Sequence, residues 1–435
     1  MNVSQTPRQS QLTVLYAPDL VQTAYRVPRA AGDLTTRFNA ENLQWPKQKM
    51  TFREVLACDN QAIVAEELQR MEGELTLEFL ATARELGWVF AWGYGSAGAP
   101  GSIAANAAVW TLTVTATGGT YQIEYDGRLT APLAYNANAA AIDAALEAKL
   151  GTGTITVGGT GPWTLTGAGS LATTDLAPFR LVTAGLTGGS ATIVETTPGG
   201  PQRYSYAITL ASGYQPPPIS LIFAFTDGTT GYMASDCVLS SFTVTEEDSG
   251  FYRVTLTASH AGPLDECTGL TIPACSTPDA LETRRGKLLF GSVDATNDRV
   301  LASYTFTQGL QTDDAFTIAS PFAQRMERQD LRGHDWKAEI NQTLNDDVWD
   351  LVVADGCRGT EVDLSWRIGS GSNGGTFSAA QSKLRFVDTQ QQFGGPANRA
   401  RIPVIARPYA RTPASTRPAS ITVITTWADG YLATS

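Results

Sequence analysis

The sequence is short of most of what reactive sites are built from. Its two histidines, His260 and His334, stand alone, with no second imidazole at zinc spacing. The cysteines are five, an odd number: Cys58, Cys237, Cys267, Cys275 and Cys357. With no C-x-x-C among them they read as buried free thiols of a reducing compartment, a bridge between Cys267 and Cys275 being the alternative. No serine stands in a nucleophile elbow. Lysines are few and the formal net charge is -11, which argues against a grip on nucleic acid by phosphate neutralisation. It leaves room for a surface past which nucleic acid slides without sticking. No run approaches the roughly 18 apolar residues of a membrane helix, and MNVSQTPRQSQL has no apolar core of a signal peptide. A soluble chain with no export signal and no membrane segment is expected.

What is present is the material of a folded, strand-rich protein. Hydrophobic residues make up 43% and charged residues 17%, a balance that favours packed cores over disorder. Abundant glycine, threonine and valine point to strands joined by tight turns. The length allows roughly two to four domains.

One stretch organises the chain, GELTLEFLATARELGWVFAWG from Gly73 to Gly93. Leu75, Leu77 and Phe79 alternate with polar residues, which predicts a strand with one buried face. Thr82 and Glu85 form a T-x-x-E capping box that satisfies the free N–H groups of a helix start. Leu86, Val89 and Phe90 follow at helical spacing, and Gly93 is expected to stop the helix. The pattern returns at Gly333–Gly356, where Trp336, Ala338 and Ile340 alternate and Thr343 and Asp346 form T-x-x-D. Leu344, Val348, Leu351 and Val352 give the second helix its apolar face. In both copies a tryptophan, Trp88 or Trp349, lies six positions after the capping threonine.

Around these units the chain divides. Residues 1–11 read as a polar N-terminal arm. Composition shifts at Ala97, and residues 101–200, rich in Gly, Thr and Ala, read as a separate inserted domain of order β-β-α-β-β-β. Its first two strands are expected to form a hairpin at Gly118-Gly119, and AAAIDAALEAKLG is a helix with Ile142, Leu146 and Leu150 on one face and Gly151 as its stop. Asp227-Gly228 and Asp248-Ser249-Gly250 mark later hairpin turns, and residues 263–282, with three prolines, read as a linker. Residues 12–100 plus 201–262 then form one β domain and residues 283–435 a second of near-equal length. Shared capping box, tryptophan offset and glycine bracket predict an internal duplication with the insert in its first copy.

Motifs that carry chemistry are weak. GYGSAG places Gly93, Gly95 and Gly98 as G-x-G-x-x-G, but after a helix instead of before one, so it reads as a loop. Glu246-Glu247-Asp248, Asp313-Asp314 and Asp346-Asp347 lack calcium-loop spacing. The first two look like turns, and the third lies in a first helical turn, where negative charge opposes the dipole. A carboxylate pair for glycoside hydrolysis has no motif behind it. Trp45, Trp88, Trp92, Trp336 and Trp349 favour core or subunit contacts over a stacking platform. Between Thr389 and Ala428 lie Arg399, Arg401, Arg407, Arg411 and Arg417 with no acidic residue; they either dock on an acidic surface of a neighbouring copy or form a solvated loop. No catalytic, cofactor-binding or metal residue is assigned, no cofactor is implied, and an enzyme is not expected.

The ensemble resembles the major tail tube proteins of long-tailed bacteriophages. The matching parts are the strand–helix units Glu74–Trp92 and Asp335–Ala354 and the strand pairs SSFTVTEEDSGFYRVTLTA and RIPVIARPY…SITVITTW. The stretch TYQIEYDGRLT…NAAAIDAALEAKLGTGTITVGGTGPWTLTGAG resembles a small module recurring in phage structural proteins. The resemblance implies a mainly β chain of two tandem sandwich or barrel domains, each with one flanking helix, plus the insert. It implies a virion protein, made in the bacterial host cytoplasm, whose stacked rings form the tail tube that conducts DNA to the host. The rings would be trimers with pseudo-sixfold symmetry in preference to hexamers, with the insert facing outward. DNA would pass without specific binding, and the tape measure, tail terminator and baseplate proteins would be partners. The two copies differ, AEELQRMEGE in the first against AQRMERQDLRG in the second. Rival readings are a capsid decoration or baseplate protein, or a carbohydrate-binding or carbohydrate-hydrolysing β-sandwich.

Overall fold

The computed structural model describes residues 12–23, 27–38, 40–56, 63–95, 99–209, 216–225, 229–247, 250–260, 264–273, 280–296, 299–311, 327–341, 360–386, 392–393, 400–407 and 419–432. The protein is mainly β, with antiparallel pairing throughout and two α-helices among the described residues. The expected N-terminal arm, the second helix with Thr343 and Trp349, and Cys58, Cys275 and Cys357 lie outside these residues.

Sixteen of the twenty strands described in the main-body sheet carry a repeat. In the first half they are β1 (Leu12–Tyr16), β2 (Thr36–Arg37), β3 (Lys47–Leu56), β4 (Ile63–Leu80), β5 (Ile219–Phe225), β6 (Thr230–Glu246), β7 (Tyr252–His260) and β8 (Asp265–Thr268). In the second half they are β9 (Lys287–Phe290), β10 (Val293–Asp294), β11 (Arg299–Gln311), β12 (Glu327–Asn341), β13 (Thr360–Gly369), β14 (Gly374–Phe386), β15 (Ala400–Arg407) and β16 (Ser420–Thr425). The first half pairs in the order β2-β1-β5-β6-β7-β4-β3, with β8 added to β6. The second half pairs in the order β10-β9-β13-β14-β15-β12-β11, with β16 added to β14. Each of these first-half pairings is thus repeated eight strands later in the second half.

The halves do not have separate cores. One apolar cluster runs from Val14 and Phe79 through Phe242 and Val254 to Trp366, Phe377 and Ile421. The alternation expected in the first strand–helix unit is what feeds it: Leu75, Leu77 and Phe79 on β4 are all buried. Trp336 and Ala338 on β12 are buried likewise.

Helix α1 (Ala83–Tyr94) begins as the sequence predicts, with the Glu85 N–H donating to Thr82 Oγ1 at 3.2 Å and the two side chains 3.1 Å apart. It departs from expectation in two ways. Every residue except Arg84 is buried, so the helix is enclosed by strands of both halves and does not flank a sheet. Gly93 does not end it; Gly95, at φ 139°, is the cap, and its N–H returns to Ala91 O. Gly93 is a contact point instead, because a side chain there would begin 2.9 Å from the Phe242 ring and 3.2 Å from the Phe306 ring.

Residues 101–200 hold their own core, built on Trp110, Leu112, Ile123, Ile142, Leu165 and Phe179. One four-stranded sheet runs Ile155–Gly158, Trp163–Gly167, Val109–Val114, Ala191–Thr197. A second sheet centres on Gly118–Tyr125. Helix α2 (Ala139–Leu150) is capped by Asn138 and stopped at Gly151, φ 110°, with Ile142 and Leu146 buried. The expected hairpin at Gly118-Gly119 is absent, since the strands on either side of it join different sheets. Gly119 is required for close approach: at φ 85°, a side chain would start 2.0 Å from Gly185 O. The tight turn lies at Asp126-Gly127, both at positive φ, between Tyr125 and its partner Arg128.

The stretch expected as a linker is partly folded. Within it, β8 pairs with Thr230–Met233, and Leu270 closes a small cluster with Leu15, Leu34, Ile222 and Met233 on the other face of the β1–β5–β6 sheet. That apolar face would otherwise meet water, which is why a proline-punctuated segment is held against it.

Candidate functional site

With no reactive cluster to build on, the site with the most structure is the joint between the halves. Ser241–Thr245 of β6 pairs with Ser303–Thr307 of β11 over five residues, and the Thr243 and Thr305 hydroxyls lie 3.2 Å apart. Strand Arg203–Thr209, which leads back from the insert, pairs along β16 from Tyr204↔Thr425 to Thr209↔Ser420. The sheet therefore crosses from one half to the other twice.

Helix α1 fills the space beneath. Phe90 stacks on Tyr304 at 5.7 Å and meets Phe242 edge-on at 5.0 Å. The Tyr94 and Tyr304 hydroxyls share a hydrogen bond, and burial raises the pKa of both phenols, which stay protonated. Gly87 lets the Tyr431 ring lie where a side chain would be 2.6 Å away, and Gly375 admits Leu86 at 2.8 Å. Close approach of helix backbone to the partner half needs glycine at those places. On the first half's own side, Trp88 packs with Tyr16, Phe38 and Trp92.

Glu246, 4% exposed, closes the other end of the joint. It accepts from the Tyr252 hydroxyl at 3.0 Å and from Trp366 Nε1, in the second half, at 3.3 Å. The neighbouring Glu247 and the sheet residue Glu78 both bind Arg253. These acids serve as hydrogen-bond and ion-pair anchors; Glu246, expected in a turn, is the last residue of β6 opposite Tyr252, and Asp248 lies outside the described residues.

A second polar site fixes the insert to the body. Gly101–Ile103 pairs with Arg203–Ser205, and Asn106 and Gly200 exchange backbone bonds at 3.1 and 2.9 Å, so the ingoing and outgoing chains form a neck. Arg203, 4% exposed, donates to Gly199 O, Ser372 O and Asn106 Oδ1. Arg285 reaches Asp175 of the insert at 2.8 Å and Glu282 at 3.3 Å, while Arg284 binds Glu282 at 2.6 Å. The Arg284 hydrogen bond draws the Glu282 pKa below its ordinary value against the opposing effect of burial. A cleft of about 270 Å³ lies here, lined by Asp175, Arg203, Glu282, Arg285 and Ser372. Asp175, Glu282 and Arg285 are spent on one another and Arg203 on carbonyl and amide oxygens, so the cleft acts as a dock.

The remaining sequence candidates scatter. His260 is buried against Gly73, where no side chain would fit, and His334 lies on β12 opposite Phe306. Trp88, Trp92 and Trp336 are fully buried, whereas Trp45 is 40% exposed. Cys237 is buried and Cys267 half-buried, and burial pushes both thiols up, away from reactive thiolate. Arg401 and Arg407 lie on β15; Arg399, Arg411, Arg417, Asp313, Asp314, Asp346, Asp347 and Gly98 are outside the described residues. Among the described residues no three acidic, histidine or cysteine side chains are placed to hold a metal, and no helix is long and apolar enough to cross a membrane. Arg203, Asp175 and Arg285 escaped the sequence reading: Asp175 lies inside the Gly/Thr-rich block and Arg285 far beyond it, so no local signal joins them.

No protein-family profile matches the chain, and no curated protein matches it.

Proposed function

We propose that this chain is a structural virion protein that assembles into stacked rings, forming a phage tail tube. The observation that carries the reading is the repeated pairing scheme with a strand joint between its two copies. The joint sets strand 6 of one copy against strand 3 of the next, so different surfaces meet. A head-to-tail contact of this kind between equivalent folds propagates, and it closes into a ring when its rotation divides a full turn. Three duplicated chains supply six folds, giving a trimeric ring with pseudo-sixfold symmetry. Pairing between neighbours would also cover the sheet edges that otherwise invite aggregation.

An acidic chain suits a conduit for DNA, because like charge keeps the phosphate backbone from adhering. The insert, with its own core and a two-stranded neck, is a projection from the ring wall. Tape measure, tail terminator and baseplate proteins are the partners this reading calls for, and the virion tail is its location.

Electron microscopy of the purified protein tests it. Tubes with a regular ring repeat and three projecting knobs per ring are expected. Six insert-sized knobs per ring reject the trimer, and a globular monomer under all conditions rejects the tube.

A further inference from the structure

We propose that the cleft between the insert and the body binds a small oxyanion, a phosphate or a carboxylate, gripped by the Arg203 guanidinium. Its occupant would bridge the insert, the neck and the second half. The inference stands apart from ring assembly, since every group it uses lies within one chain.

A buried charge is ordinarily paired with an opposite one. Arg203 is 4% exposed, yet its three hydrogen bonds all go to uncharged oxygens. Nη1 donates to Gly199 O and Ser372 O, both at 3.1 Å, and Nη2 donates to Asn106 Oδ1 at 2.9 Å. A guanidinium carries five N–H donors. With three used, one N–H of Nη2 is left, and Nε has no partner among the described residues. Nε and Nη2 are adjacent nitrogens of the fork, the kind of pair that takes an oxyanion two bonds at a time. Burial draws the Arg203 pKa below its ordinary value, with Asp175 opposing the shift.

The acids that line the cleft do not take up this charge by contact. Asp175 is bonded to Arg285, and Glu282 to Arg284 and Arg285. For the same reason an incoming anion meets no unpaired carboxylate among the lining residues.

Space is kept beside the free donors. Gly200 lines the cleft, and a Cβ there would stand 3.3 Å from Arg203 Nε and 3.2 Å from its Cζ. A side chain at that position would cover the guanidinium; glycine leaves it clear. Hydroxyl-bearing residues complete the walls: Thr174 of the insert, Ser370 and Ser372 of the turn before β14, and Thr426 after β16. A volume of about 270 Å³ takes a phosphate-sized ion with water around it. Because insert, neck and second half all line the cleft, an ion held there fastens the insert to the body.

Calorimetric titration of the full chain with sodium phosphate, against sodium chloride at matched ionic strength, gives the affinity, and amide exchange places the site. At about ten times its Kd, phosphate should slow exchange near Thr174–Leu176 and Ser370–Asn373 by roughly tenfold, the protection from a ligand that binds only the closed cleft. Exchange in α1 should not change. Acetate in the same format separates the two sources, the tighter binder being the class the cleft takes. Protection spread evenly over the chain, or none from either anion, overturns the proposal. Arg203→Lys keeps the charge without the fork and should weaken binding by roughly tenfold, the scale of one charge-assisted hydrogen bond. Equal affinity in a folded variant removes Arg203 from the site. Should the substitution unfold the neck, the exchange map of the parent chain decides alone. Failure to form tubes leaves each of these readouts standing.

Discussion

Tyr94 at the end of α1 and Tyr304 on β11 belong to different halves of the chain, yet their hydroxyls share a hydrogen bond inside one core. The pair is a direct reporter on whether the halves fold together. Tyr94→Phe and Tyr304→Phe should each lower stability, with a coupling of about 1 kcal/mol in the double-mutant cycle. Chemical denaturation of the four proteins measures it, and simple additivity would mean the contact carries no energy.

Gly93→Leu tests the crowding of the same helix. The new side chain meets the Phe242 and Phe306 rings, which face other side chains and have little room to move. Overpacking of this kind costs about 1–3 kcal/mol, more than the gain in helix propensity over glycine returns. A melting temperature at or above the parent's would refute the contact.

Thr82→Ala removes the cap of α1 and should cost about 1 kcal/mol. Serine at the same position keeps the oxygen and should recover most of it. Urea midpoints of the two variants compare these directly.

Docking of the insert depends on pH through Glu282. Its folded pKa lies below the unfolded value, so its contribution is present above about pH 4.3, the ordinary glutamate value, and fades as pH falls through the folded pKa. Thermal melts of Glu282→Gln should show a shallower loss of stability on acidification than the parent. Identical slopes would assign the acid sensitivity elsewhere.

Arg285→Ala cuts the ion pair to Asp175, which is part-exposed at 21% and 22% and so worth about 0.5–1 kcal/mol at most. Faster amide exchange near Thr174–Leu176 and Glu282–Gly286 is expected, with α1 unaffected. Exchange rising in α1 as well would show that the dock supports the whole body.

Local rules made much of this fold legible. The capping box at Thr82 and Glu85, the alternation at Leu75, Leu77 and Phe79, and the Gly151 stop depend on residues within a turn or two of each other, and the structure places them as expected. What escaped depends on distant partners. Gly93 and Gly119 both read as local punctuation, but each is required by backbone or rings brought up from far along the chain. Segment 263–282 carries the composition of a linker, and only the apolar face formed by Leu15, Ile222 and Met233 gives it a reason to fold. The joint of Ser241–Thr245 with Ser303–Thr307 was not readable at all, since nothing in either run of serines and threonines names its mate.

The neck of the insert has a practical meaning. Ser102 and Tyr204 are paired neighbours on adjacent strands, about 5 Å apart as such strands are. Bringing together two points of the body that are already together adds no closure entropy to speak of. The position is therefore a socket: a short turn in place of residues 104–201 should leave the body folded, and a foreign domain with adjacent ends should plug in, displayed at every copy of the chain.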